Sequence, residues 1–141
     1  MATVTKPICP ETGQPMERGI RPLELTYKDQ TISVDMPGWY GEGSGEGLHT
    51  HDDMKVSDRA LNLLKARVEN LLEPKDIQKI RKKLGLTQVQ AGEILGGGPR
   101  AFQKYESGDS LPSRAICSAL RLLDSDPSGL KTLLSATGTC Q

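Results

Sequence analysis

Between Lys75 and Pro127 the chain is punctuated so closely that only short helices fit. Gly85, the run Gly96-Gly97-Gly98, Pro99, Gly108, Pro112 and Pro127 interrupt it, and no stretch between two of them exceeds 14 residues. Glycine ends helices because it adopts the left-handed backbone at little cost. Proline begins them because the N–H it lacks would have no partner in the first turn. Between the breaks, apolar residues recur at three- and four-residue spacing: Ile77, Ile80 and Leu84; then Phe102 near Tyr105; Ile116, Leu120 and Leu123; Leu130, Leu133 and Leu134. This pattern predicts five helices. The first is Lys75–Leu84, with Pro74 at its N1 position. The second is Val89–Leu95, the third Pro99–Ser107, the fourth starts at Pro112 and the fifth at Asp126-Pro127. Thr87, with Gln90 three residues on, has the spacing of a capping box for the second helix.

The N-terminal side reads differently. Pro7, Pro10, Pro15, Pro22 and Pro37 break it up, and Pro22–Tyr27 and Thr31–Met36 alternate apolar and polar residues as half-buried strands do. Lys28-Asp29-Gln30 is read as the hairpin loop. Gly41–Gly47 is too glycine-rich for a helix or a packed strand. It is read as a surface loop and not as a phosphate-cradling loop, since no lysine and helix start follow it. Ser57 is expected to open a helix carrying Leu61, Leu64, Val68, Leu71 and Leu72 on one stripe as far as Leu72. The fold class predicted is α+β: a small β-hairpin module (1–56), a linking helix (57–73), and an all-α five-helix domain (74–141).

Charge separates the two halves although the total is zero. Residues 1–72 hold 8 basic and 11 acidic side chains, net −3; residues 73–141 hold 10 and 7, net +3. Such asymmetry suggests a nucleic-acid-binding half joined to a half with another partner. No apolar run approaches the ~20 residues of a membrane span, and the N-terminus has no signal-peptide core. The three cysteines, Cys9, Cys117 and Cys140, are too few and too scattered for a disulfide framework. The reading is a cytoplasmic protein with no membrane partner. Five aromatic residues give little to stack on single strands.

Two short helices around a glycine turn in a basic half make a helix-turn-helix candidate. Ala91 is small enough for helices to cross closely. Arg100, Gln103, Lys104 and Ser107 fall on the solvent side of the third helix, where a recognition helix meets base edges. Arg100 and Lys104, four apart, suit guanine acceptors. Thr87 and Gln88 open the second helix, where phosphate is contacted, although Thr87 also serves as a cap. Gly97 and Gly98 either let amides approach phosphate or satisfy a tight turn; the sequence leaves both open. Lys82 and Lys83 supply general electrostatics or a solvated face.

Leu86-Thr87-Gln88, Ala91, Leu95-Gly96, Tyr105-Glu106, Gly108 and Pro112 resemble the Cro/C1-type (XRE) helix-turn-helix family, a resemblance that implies a lambda-repressor-like fold for residues 74–141. The stretch Leu95–Phe102 (LGGGPRAF), with IRKKLGLTQ before it, resembles the C-terminal domain of MqsA (YgiT-type) antitoxins. That resemblance implies a homodimeric repressor reading a palindromic double-stranded operator, coupled to an N-terminal module that grips an RNase toxin. It also implies zinc held by two CxxC pairs. Here the corresponding positions are Cys9, Thr12, Gly41 and Ser44, and one cysteine cannot replace a tetrahedral four-ligand site. Zinc, or any other cofactor, is therefore not expected. Cys9, His49 and His51 are the only substitute ligands worth naming, beside Asp52 and Asp53. No catalytic constellation is present, and Glu42–Glu46 lacks the GxSxG nucleophile pattern, so the chain is not read as an enzyme. The alternatives are a stand-alone regulator of this helix-turn-helix class whose N-terminal module senses a ligand or metal, or a phage- or plasmid-type regulator whose N-terminal module is purely structural.

Overall fold

The structure is a computed structural model that describes residues 6–43, 45 and 47–136. Its N-terminal module is an antiparallel sheet in the order β1-β2-β3: β1 (Glu17–Tyr27), β2 (Gln30–Tyr40) and the short β3 (Gly47–Leu48). Helix α1 (His51–Val68) follows. The remainder is α2 (Pro74–Lys83), α3 (Gln88–Leu95), α4 (Ala101–Ser107), α5 (Arg114–Ser125), a 3-10 turn (Pro127–Gly129) and α6 (Leu130–Ala136). The α+β class and the five helices after α1 agree with the sequence pattern.

The strands are longer than alternation alone indicates. Register runs from Glu17 opposite Tyr40 to Tyr27 opposite Gln30, so Pro22 and Pro37 lie inside strands. Proline is tolerated where a strand lacks a neighbour on one side. β1 is the edge of the sheet, and β3 covers only Trp39 and Tyr40 of β2. The loop is Lys28-Asp29, one residue shorter than read, with Lys28 in the left-handed region (φ 54°). Gly47, read as loop, pairs with Tyr40. Leu25, Tyr27, Ile32, Val34 and Met36 share the more buried face, and Glu24, Thr26, Ser33 and Asp35 face solvent.

Helix α1 starts six residues before Ser57, which is buried inside it. The cap is Thr50: its hydroxyl accepts from Asp53 N–H, and the Asp53 carboxylate accepts from Thr50 N–H. The helix also stops before Leu71 and Leu72, because Asn70 turns left-handed (φ 57°) and Leu71 N–H donates to Ala66 C=O at 2.8 Å. Leu72 instead enters the hydrophobic core of the helical part with Ile77, Ile80, Ala91, Phe102, Cys117 and Leu120. Three further helix starts shift, two of them to a side-chain cap. Arg100 is the N-cap of α4, leaving Pro99 in the turn. Ser113, not Pro112, precedes α5 and accepts from Ile116 N–H. Asp126 caps the 3-10 turn before α6. Cys140 lies outside the described residues.

Candidate nucleic-acid interface

Helix α3 is capped as its sequence requires: Thr87 Oγ accepts from Gln90 N–H at 3.1 Å, and Gln90 Oε1 accepts from Thr87 N–H at 3.0 Å. The Thr87 hydroxyl is thus held by the cap. Gln88, the first helical residue, is half-buried. The turn that follows is decided by backbone geometry. Gly96, Gly97 and Gly98 have φ of 109°, 99° and 91°, a region that side chains other than glycine avoid. Gly96 and Gly98 N–H both donate to Gly92 C=O, at 3.0 and 3.3 Å. The Gly98 amide is therefore used inside the chain. A side chain on Gly92 would come within 1.8 Å of the Gly98 carbonyl oxygen. Gly92, unremarked in the sequence, allows the turn to fold back over α3, beside the fully buried Ala91.

Helix α4 is held from behind on three sides. Phe102 is fully buried, with its ring edge-on to Tyr105 at 5.4 Å. Burial raises the pKa of the Tyr105 hydroxyl. Glu106 receives two hydrogen bonds from Arg81 of α2, at 2.7 and 2.9 Å, and Arg81 also donates to Leu86 C=O at 2.8 Å. The side chains of this pair are 11% and 5% exposed. The Glu106 carboxylate accordingly holds the Arg81 guanidinium more firmly protonated than usual. The helix ends at Gly108 (φ 89°), where the N–H groups of Gly108 and Asp109 return to Lys104 C=O. The anchor pair spans 25 residues, so no local signal reveals it.

What remains outward is the face read from spacing. Arg100, Gln103, Lys104 and Ser107 are all exposed. Arg100 and Lys104 line one cleft of about 270 Å³ with Gly97, Tyr105, Ser110 and Leu111. Ser107 is less available: its hydroxyl donates to Lys104 C=O at 3.1 Å and lies 3.0 Å from the Asp109 carboxylate. Lys82 is exposed, whereas Lys83 is paired with Asp124 at 3.0 Å.

The cysteine-bearing knuckle of the N-terminal module is closed by backbone bonds. Cys9 N–H donates to Gln14 C=O, Gly13 N–H to Cys9 C=O, and Met16 N–H to Pro7 C=O, each at 2.8 Å. Cys9 and Met16 are each 1% exposed. Thr12 is exposed, Gly41 is buried and accepts from Arg21 at 3.0 Å, and Ser44 lies outside the described residues. His49 is directed elsewhere, its Nδ1–H donating to Pro37 C=O at 2.9 Å and its ring meeting Tyr40 edge-on. His51 is exposed at the start of α1. Among the described residues no three His, Cys, Asp or Glu side chains are grouped to hold a metal ion. These residues do not fit a four-thiolate zinc site.

Comparison with known proteins agrees with this architecture. Residues 6–134 match the MqsA family, described as the antitoxin component of a bacterial toxin–antitoxin system. The chain is 32% identical over 123 residues to antitoxin MqsA of Escherichia coli strain K12, covering 86% of this chain and 92% of that one. It is 36% identical over 77 residues to multiprotein-bridging factor 1b of Arabidopsis thaliana, 55% of this chain and 51% of that protein. It is 28% identical over 87 residues to vegetative-specific protein H7 of Dictyostelium discoideum, 62% of this chain and 83% of that protein. An N-terminal sheet, a connecting helix and a helix-turn-helix with an outward basic face are thus found in a chain that belongs to the MqsA antitoxin family.

Proposed function

We propose that this antitoxin is a sequence-specific repressor of its own operon and neutralises an RNase toxin encoded beside it. The observation that carries the DNA half is the exposed Arg100–Gln103–Lys104–Ser107 face on a helix anchored behind by Phe102 and Arg81–Glu106. In this reading Arg100 and Lys104 contact guanine edges. Gln88 and the turn at Gly97 meet phosphate and set the register. The repressor acts as a homodimer on a palindrome, with half-sites one DNA turn apart or a multiple of it. Leu122 of α5, 71% exposed, supports an interface formed by the last helices. Binding to the upstream duplex, followed by anisotropy across a salt series, tests this. Arg100→Ala is expected to cost ~1–3 kcal/mol and to relax specificity at one base pair. Equal binding of wild type and variant to operator and scrambled DNA would overturn it.

The toxin-binding role is assigned to the N-terminal module in the cytoplasm. Ile8, Ile20, Leu48 and Met54 are exposed there, and a net charge of −3 over residues 1–72 suits a basic RNase surface. Co-purification of the full chain with the product of the adjacent gene is the test; absence of a complex would refute it. We infer further that the module folds without zinc and that the chain has no catalytic step. A second reading, a stand-alone regulator with a sensing module, is favoured only by a cleft of about 430 Å³. Asp29, Gln30, Ile32, Leu64, Arg67 and Val68 line it, between the hairpin tip and α1. A gene with no toxin-sized neighbour would select that reading.

A further inference from the structure

Helix α1 is fastened to the end of α4, and from this geometry we propose that Arg59 and Asn62 are positioning residues for DNA recognition, making α1 a working part of the DNA-reading unit. The proposal rests on α4 being the recognition helix. Arg59 donates to both oxygens of Asp109, from Nε at 2.8 Å and from Nη2 at 3.3 Å. One turn later Asn62 Nδ2 donates to Gly108 C=O at 2.8 Å. Gly108 is the left-handed residue that ends α4, and it is buried. A side chain on Gly108 would meet Arg59 Cβ and Cγ at 3.4 Å, so the helix stem lies directly on the cap. The Asp109 carboxyl is held below its usual range by the Arg59 hydrogen bonds, with help from the Ser107 hydroxyl.

The other contacts of α1 prevent it from swinging freely. At its N-terminal end Arg18 of β1 forms a two-bond pair with Asp53, at 2.8 and 2.9 Å. At its C-terminal end Glu69 accepts from the Tyr27 hydroxyl and pairs with Lys28, both at the hairpin tip. Beyond it, Arg114 and Arg121 of α5 donate to the carbonyls of Glu69 and Asn70. The linking helix is thus tied at once to the sheet, to α5 and to the loop behind α4. A partner that displaces α1 must pull on the α4 cap, and linkage requires the effect to be reciprocal.

The competing explanation is that Arg59 simply attracts phosphate, and the sign of the Asp109 effect separates the two. Removing an acidic group beside DNA strengthens electrostatic binding. Removing half of a clasp that positions α4 weakens it. The test is anisotropy of the full-length chain on the duplex upstream of its gene across a salt series, for Arg59→Ala, Asp109→Ala, their double variant, Asn62→Ala and the reversed pair Arg59→Asp with Asp109→Arg. A half-exposed ion pair shifts an equilibrium by up to about fivefold. The expected result is a loss of about three- to fivefold for Arg59→Ala and for Asp109→Ala. The double variant is no worse than either single, the salt slope is unchanged, the thermal midpoint falls by no more than about 2–4 °C, and affinity is partly restored by the reversed pair. Asn62→Ala should fall in the same range. Tighter binding by Asp109→Ala, or a salt slope reduced by about one in Arg59→Ala alone, would make Arg59 a phosphate contact and overturn the proposal. Wild-type affinity in all variants would overturn it as well. Absence of specific binding by the wild type would refute the DNA-reading assignment beneath it.

Discussion

Glu106→Gln is the most informative single change in the helix-turn-helix half. The substitution keeps the side chain's shape and removes its charge. Arg81 then remains charged, 11% exposed, with its Leu86 carbonyl bond intact but its ionic partner gone. Taking away one member of a buried, doubly hydrogen-bonded pair typically costs ~3–5 kcal/mol, because the surviving charge has no water to return to. An amide oxygen still accepts one bond, so the lower end, about 3 kcal/mol, is expected. At ~3–4 °C per kcal/mol for a chain of this size, the thermal midpoint should drop by about 10 °C. Urea unfolding followed by circular dichroism should show the midpoint moving with little change in slope. The control is Arg81→Met with Glu106→Leu, which replaces both charges with apolar groups and should lie within ~1 kcal/mol of wild type or above it. Exposed pairs behave otherwise: breaking Lys6–Glu17, 50% and 70% exposed, should leave the midpoint where it is. The reasoning fails if Glu106→Gln costs less than about 1 kcal/mol. It also fails if the apolar double variant is as unstable as the single one.

Three further outcomes are expected. Gly92→Ala gains about 1 kcal/mol of helix propensity but sets a methyl 1.8 Å from the Gly98 carbonyl oxygen. The turn must move, so a net loss of roughly 1–3 kcal/mol is expected, and a raised thermal midpoint would show that the turn does not lie over α3 as described. Asp53 is held well below the usual carboxylate range, first by its Arg18 bonds and then by Thr50 N–H. Its contribution is therefore present above about pH 4 and is lost as pH falls toward its lowered pKa. Asp53→Asn should lose about 0.2–1 kcal/mol near neutrality by removing the charge paired with half-exposed Arg18 and show a flatter stability profile below about pH 4; parallel profiles would remove Asp53 from the acid response. Finally, a strong zinc chelator should leave the thermal midpoint unchanged and metal analysis of the purified chain should find no stoichiometric zinc, whereas a chelator-induced drop would restore a metal site to the Cys9 knuckle.

How much of this was legible in the residues follows the range of the forces involved. Helix count, the Thr87 cap, the glycine turn, the inward Phe102 and the outward Arg100 and Lys104 depend on backbone preference and on periodicity within a few residues, so order along the chain suffices to find them. Even local rules went astray where a neighbour intervened. Pro22 and Pro37 suggested strand limits, yet the missing second neighbour along those edges lets proline stay in a strand. Ser57 suggested a helix start, yet Thr50 and Asp53 had already closed a capping box. Other features have no local signature: Arg81 with Glu106, Arg59 with Asp109, Arg18 with Asp53, and Gly92 against Gly98. The first three join charges 25, 50 and 35 residues apart, and the fourth depends on a turn folding back onto its own helix. The sequence by itself therefore determined which helix presents a basic face, because that is a matter of spacing on one element. Only the tertiary structure decided what holds that helix in place, because burial and the pairing of distant charges exist only once the elements have packed.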